Sequence, residues 1–443
     1  MNVQRSVLIV TPFFAPQSHA AVFRAYKLAK FLPKLGWKVF VVTVDRNYHF
    51  LEDPALLQAL PAEVTVKTAD YIEPTLRGIR MGVGGKDRTF HAMSANVPAN
   101  SLSPAVGPST INRTYNYLLQ RWIHVPDAYW TWKKTALREA GKLIRENGIQ
   151  YVITSSSPYT TLEIGMELKK QYGVKWVADI RDPLTYEFRM HSSHERVFAK
   201  QRCIERAALQ SADAVTFLTS AGPMIITDSY GSDFADKLHF IPTGLDDEFL
   251  PGPKKAVSEP YILFAGEYLA AYGGEIFDIF KRAIQDPRLT TRNLKFRIIG
   301  RADVNRRTAG PHVERLGLES SVEFQDNVPQ RELYGMIQNA EAAVLCTSLN
   351  YGWWIGFAKL VDYLALQKRV LARVPDPSEA RKWLTQSRLG VFLDGDVSVA
   401  ATIMADALST GMDKHAAPDS EVCRRFLASA QAEAFSNLLA SLG

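Results

Sequence analysis

Cysteine is scarce: Cys203, Cys346 and Cys423 are the only three in 443 residues, far apart and odd in number. That leaves no disulfide framework and no zinc-ligand spacing, so the chain reads as one for a reducing compartment. Long apolar runs are missing as well, and none reaches the ~20 residues of a membrane-spanning helix. The N-terminal run VLIVTPFF is short, follows a single Arg5 and passes into polar sequence, as a first strand does and a signal peptide does not. A dense basic run is also absent. Lys+Arg number 52 against 46 Asp+Glu, a net charge of +6 that suits an anionic ligand or a membrane surface but not a nucleic-acid footprint. No internal repeat or low-complexity tract stands out. The expected location is the cytoplasm.

What is present is an ordinary globular composition, 47% hydrophobic and 22% charged, in a chain long enough for two cores. Short apolar runs alternate with helical patterns. Val7–Thr11, a helix over Ala21–Leu35 ended by Gly36, and Lys38–Val44 open the chain as a βαβ unit, which implies a parallel sheet. Strands at Gln150–Thr154, Val174–Ile180, Ala214–Leu218 and Lys237–Ile241 continue it. A second series follows at Tyr261–Ala265, Leu294–Ile299, Ser321–Phe324, Ala342–Cys346 and Arg369–Val374. The fold class is therefore α/β with two Rossmann-like doubly wound domains: residues 1–248, 249–420, and a terminal helix within 421–443. PGPKKAVSEP, from Pro251 to Pro260, has linker composition.

Two stretches break the alternation. About 74–116, rich in Gly, Ser, Pro and Asn, reads as a long insertion, either mobile or simply disordered. Gly82, Gly84, Gly85 and Lys86 within it lack the strand before and the Ser/Thr after that a phosphate loop needs. Tyr129–Glu146 reads as a helix carrying Trp130, Trp132 and several basic residues. It either lies at a membrane interface or packs its tryptophans inward.

Glu341–Pro375 holds the sharpest candidate site. A strand, a Gly- and Trp-containing loop and a helix over Phe357–Leu366 put that helix's start at the carboxyl edge of a sheet, where α/β folds bind ligands. Lys359 lies in the first turn, beside backbone N–H groups without intrahelical partners. Asp362 and Tyr363, three and four residues on, share roughly its face. A cation beside free N–H groups suits a diphosphate, and a carboxylate one turn on suits ribose hydroxyls. The alternative is a solvated Lys–Asp pair. Arg301, after the strand ending in Gly300, either reaches phosphate or is solvated. In the first half, His19 is cleft-facing or solvated, and Arg24 faces acceptor, phosphate or solvent. Ser155–Ser157 and Asp179–Asp182 emerge at one sheet edge. Arg181 and Asp182 form either a loop-holding ion pair or a substrate contact.

KLVDYLALQKRVLA resembles the K-L-F-E-Y-L-A-x-G-K-P-V-L-A pattern of family 4 glycosyltransferases, which have the GT-B fold with two Rossmann-like domains facing a central cleft. YVITSSSPYTTLEIGMELKKQYGVKWVADIRDPLT is similar to that family's T-x-S-P-P-x-T … W-V-A-D-F-R-D-P-W run, and IPTGLD to its I-P-N-G-x-D. The resemblance implies a retaining, metal-independent transfer of sugar from a nucleotide-diphosphate donor, UDP or GDP, with no cofactor. It also implies a saccharide or lipid-linked acceptor, a role in surface polysaccharide or glycoconjugate synthesis, and peripheral contact with the inner face of the membrane. Donor-binding candidates are Gly266, Arg301, Asn327, Val328, Lys359, Leu360 and Asp362. Acceptor candidates are Ser18, His19, Arg24, Ser156 and Arg181. Groups expected near the reaction are Lys359, Asp182 and His19. Departures are visible too: Trp354 stands where relatives often carry Glu, Ser18–Ala21 replaces a glycine loop, and Glu267 lies where relatives place Arg and Lys. A non-catalytic binding protein and a sugar-nucleotide epimerase are the competing readings.

Overall fold

In a computed structural model the described residues are 5–47, 52–75, 78, 117–186, 191–350, 352–411 and 416–443. Most of the insertion expected at 74–116, including Gly82, Gly84, Gly85 and Lys86, lies outside them. The chain divides into two compact units, Met1–Pro242 with Gln431–Gly443, and Thr243–Ala430.

The first unit is built on a seven-stranded sheet in the order β3-β2-β1-β4-β5-β6-β7. Its strands are β1 Ser6–Val10, β2 Lys38–Val44, β3 Thr65–Ala69, β4 Tyr151–Ser155, β5 Lys175–Arg181, β6 Ala214–Phe217 and β7 Leu238–Phe240. All pairs are parallel. β1 is buried at every position, as expected of a parallel strand covered on both faces. Helices α1 Ala20–Phe31, α2 Lys133–Asn147, α3 Thr160–Tyr172, α4 Glu195–Ser211 and α5 Ala221–Tyr230 complete this part. α2 packs on β1–β3 and on α3, which packs in turn on β4, β5 and α4.

The helix expected from Tyr129 starts only at Lys133, because Asp127 caps a separate turn at Ala128–Thr131 through the Tyr129 N–H. Its two tryptophans part company: Trp132 is fully buried and Trp130 is exposed.

The second unit has a six-stranded sheet in the order β10-β9-β8-β11-β12-β13. The strands are β8 Tyr261–Ala265, β9 Lys295–Ile299, β10 Val322–Gln325, β11 Ala342–Cys346, β12 Val370–Arg373 and β13 Gly390–Phe392, again all parallel. Between them run α6 Glu275–Ala283, α7 Ala302–Leu316, α8 Gln330–Asn339, α9 Ala358–Ala365, α10 Glu379–Gln386 and α11 Val397–Thr410. The last helix, α12 Ala428–Ser441, falls with the first unit from Gln431 on. There Gln431 donates to the Arg24 carbonyl and Ser436 accepts from the Trp37 indole at 2.9 Å.

Each unit has its own apolar core. Among the described residues no helix is long and apolar enough to cross a membrane.

Candidate functional site

Both sheets reverse their winding direction beside the first strand of the unit: between β1 and β4, and between β8 and β11. In doubly wound sheets the crevice at such a switch point, outside the carboxyl ends of the strands, is where ligands bind. Backbone topology alone thus singles out the loops after Ala265 and Cys346.

In the second unit those loops converge on Lys359. Its ammonium lies 3.6 Å from the centroid of the Phe264 ring and 5.7 Å from that of Tyr272. Gly266 ends β8 at φ +96°, and the lysine passes 3.7 Å from where a Cβ there would be. A side chain at this position would be strained by the positive φ, while its Cβ would meet the lysine only at ordinary contact distance. Among the described residues no carboxylate pairs with Lys359. Burial pulls its pKa down to about 7, with the nearby Cys346 and Glu267 pulling it back up. Aromatic faces stabilise a cation less than a full anionic partner does, so this ammonium is poised for one.

The first two residues of α9, Ala358 and Lys359, carry N–H groups that the helix itself leaves free. The N–H groups of Leu360 and Val361, by contrast, turn to the Phe357 carbonyl at 3.0 and 3.2 Å. The Leu360 side chain is fully buried in the core, so neither part of Leu360 faces a ligand.

Asp362 does not pair with Lys359. It accepts from the Tyr334 hydroxyl at 3.2 Å, which also receives the Gln330 amide at 2.6 Å. Tyr363, expected on the same face, turns inward instead. Its hydroxyl accepts from the Ala265 N–H at 3.0 Å and reaches the Val344 carbonyl at 3.4 Å, tying β8 to β11. The 100° step per residue in a short helix is enough to send these three side chains to different neighbours.

Arg301, at the start of α7, is exposed but already partnered: its guanidinium donates to Glu267 at 2.7 Å, both side chains being 41% exposed. Asn327 is exposed and Val328 half-buried in the loop after β10, where Asp326 accepts from the Ala302 N–H. Trp354 is buried and stands edge-on to Trp353. The tryptophan at the position where a glutamate was expected therefore packs inward.

In the first unit, Arg24 is a correction to the expectation of an acceptor contact. Its guanidinium is 3% exposed and grips Asp179 with both Nε and Nη2, at 2.8 to 3.0 Å, while Nη1 donates to the Ile241 carbonyl. Asp179 also accepts from Thr216 and Ser155. A charge this deep needs a full set of partners, and it has one. Ser156 is likewise closed to solvent, its hydroxyl shared with Thr161 at 2.6 Å.

Arg181 sits at φ 67° and donates to the Ser156, Ser157 and Ala21 carbonyls. It ties the loop after β4 to the first turn of α1 at the switch point, and Asp182 follows it half-buried. Ser18 and His19 are half-buried just ahead of α1. The His19 ring contacts Gln17 at 3.2 Å and meets Phe13 edge-on. Burial, then the Arg181 charge, lowers its pKa to about 4, so it is neutral at neutral pH.

No family model matches the chain, and no curated protein matches it. Solved structures do. Sucrose-phosphate synthase from Thermosynechococcus elongatus is 14% identical over 99% of each chain, with a TM-score of 0.60. The Anabaena HepE protein, solved with UDP and glucose, is 12% identical over 98% of this chain and 99% of its own, TM-score 0.59. A Listeria monocytogenes structure named for UDP-N-acetylglucosamine 2-epimerase is 9% identical over 98% and 96%, TM-score 0.54. The fold is GT-B. Within this GT-B chain, the sequence reading had missed Phe264 and Tyr272 beneath Lys359, and Asn305 beneath the β8 turn. Asn305 is fully buried, accepts from the Tyr268 N–H at 2.8 Å and donates to the Gly266 carbonyl. Nothing in one sequence marks such residues, because each acquires its role from a strand or turn far away in the chain.

Proposed function

We propose that the chain is a glycosyltransferase that moves a sugar from a nucleotide-diphosphate donor to a saccharide or lipid-linked acceptor. The second unit takes the donor and the first takes the acceptor. One observation carries this reading: a half-buried lysine with no ionic partner among the described residues, at the switch point of the second sheet, beside a glycine turn and the two helix N–H groups that the helix itself leaves free. Lys359 and these N–H groups would neutralise the charge that builds on the departing diphosphate. Asp362 and the Asn327–Val328 loop would take the nucleoside, and His19, Arg181 and Asp182 would orient the acceptor. UDP in one GT-B neighbour and sugar phosphate synthesis in another are in keeping with this assignment.

Retention of anomeric configuration, independence of metal, and a place in surface glycan synthesis belong to the same proposal. So does peripheral attachment at the inner face of the membrane. Exposed Leu118, Trp122 and Ile123, with Arg121 lying over the Trp122 ring, support that attachment.

The buried Trp354 favours a second reading, nucleotide binding without turnover. A panel of UDP- and GDP-sugars, read first by thermal shift and then by donor hydrolysis, decides between them. Stabilisation with hydrolysis supports transfer, and stabilisation alone supports the binding protein. Lys359→Ala should weaken nucleotide binding by roughly ten- to a hundredfold, the range of a charge-assisted hydrogen bond. Unchanged binding by this variant would remove Lys359 from the site.

A further inference from the structure

The pair formed by Glu267 and Arg301 is hard to account for as a fold element. Both side chains are 41% exposed, and exposed pairs add little to stability. Yet the turn that carries Glu267 is tightly constructed. Asn305 clasps it from both sides, at the Gly266 carbonyl and the Tyr268 N–H. The Gly266 N–H reaches the Ile299 carbonyl at 2.6 Å. A Cβ at Gly300 would lie 2.5 Å from the Gly266 carbonyl oxygen, so only glycine lets the two loops approach this closely. The result is a carboxylate that accepts from Arg301 and whose charge also reaches Lys359 nearby. All three sit at the strand ends where the reading above places the donor phosphates.

We propose that Glu267 is a resident anion standing in for a donor phosphate, which must displace it from Arg301 before the nucleotide seats fully. This inference rests on the nucleotide-sugar reading of the site. Its physics is competition. In the free protein Glu267 satisfies Arg301 and keeps the crevice from presenting bare positive charge. When a diphosphate enters, Arg301 exchanges one carboxylate for a more highly charged phosphate, and Glu267 is left facing solvent. Glu267 therefore lowers affinity, setting a threshold that weakly charged anions do not pass.

The test is calorimetric titration of the full chain with UDP and with GDP at low ionic strength. The proteins are wild type, Glu267→Gln, Arg301→Gln and the double variant. Glu267→Gln should bind the preferred nucleotide roughly three- to tenfold tighter, the scale of one exposed charge pair. Arg301→Gln should bind more weakly than wild type, and in the double variant the gain from Glu267→Gln should vanish. Equal or weaker binding by Glu267→Gln overturns the proposal, as does a full gain in the Arg301→Gln background. Wild-type protein that binds neither nucleotide would instead overturn the nucleotide-sugar reading, and this inference with it. Both side chains are on the surface, so the variants fold, and matched thermal melts check that they do.

Discussion

Lys359 has two properties that pull against each other. A lysine over aromatic rings and half out of water is costly to charge, so its pKa falls from 10.5 to about 7. In the unfolded chain the same lysine stays charged to a much higher pH. It therefore works against the folded state below about pH 7, and that penalty lifts as pH rises from there toward 10.5. An anion bound beside it restores the charge, so binding above pH 7 must take up a proton. UDP affinity should then fall by up to about tenfold per pH unit between roughly pH 7 and 10. Titrations near pH 8.5 in two buffers of different ionisation enthalpy should show uptake approaching one proton in wild type and none in Lys359→Met. Equal uptake in both would separate the proton from this lysine. At this scale the sequence was only partly legible. Lys359 was visible from its place in the helix, whereas Arg24 looked the same kind of residue and proved to be a buried tie to Asp179.

At the scale of elements, the short α9 is both a site and a strut. It offers its first turn to the crevice while Tyr363, one turn on, secures the strand that carries Gly266. Removing the hydroxyl in Tyr363→Phe leaves the buried Ala265 N–H without its acceptor, which costs about 1–3 kcal/mol. Chemical denaturation read by a probe in the second unit should give that loss. Nucleotide binding should weaken as well, since β8 carries the Gly266 turn. A variant as stable as wild type would show that the contact contributes nothing. Helices α5–α8, α10 and α11 went unread, whereas most strands and helices such as α1, α2 and α9 were legible from periodicity, because a buried parallel strand is an apolar run and an amphipathic helix repeats every 3.6 residues. The β3 and β13 edge strands were not, being short and only partly buried.

For the whole molecule, the two cores make separate predictions possible. Asp179→Asn breaks a buried pair and leaves Arg24 charged without a matching carboxylate, a loss of about 3–5 kcal/mol. Hydrogen exchange should speed up in β4, β5 and β6 of the first unit. Exchange in β8, β11 and β12 should remain as in wild type. Tyr363→Phe should produce the converse pattern, and the two losses should add within about 0.5 kcal/mol, because the residues share no partner. A lesion in one unit that loosened both sheets equally would contradict this.

By itself the sequence determined the α/β class, the repeated doubly wound pattern, and the helix start where a cation meets free N–H groups. These are local properties, set by side-chain periodicity and by the residues at a strand end. The tertiary structure alone decided which charges are free and which are committed. Arg24 and Asp179 are 155 positions apart, Glu267 and Arg301 34, Ala265 and Tyr363 98. Whether a guanidinium meets a carboxylate, a carbonyl or water depends on which loops the sheet order brings together. Spacing along a single chain does not carry that information.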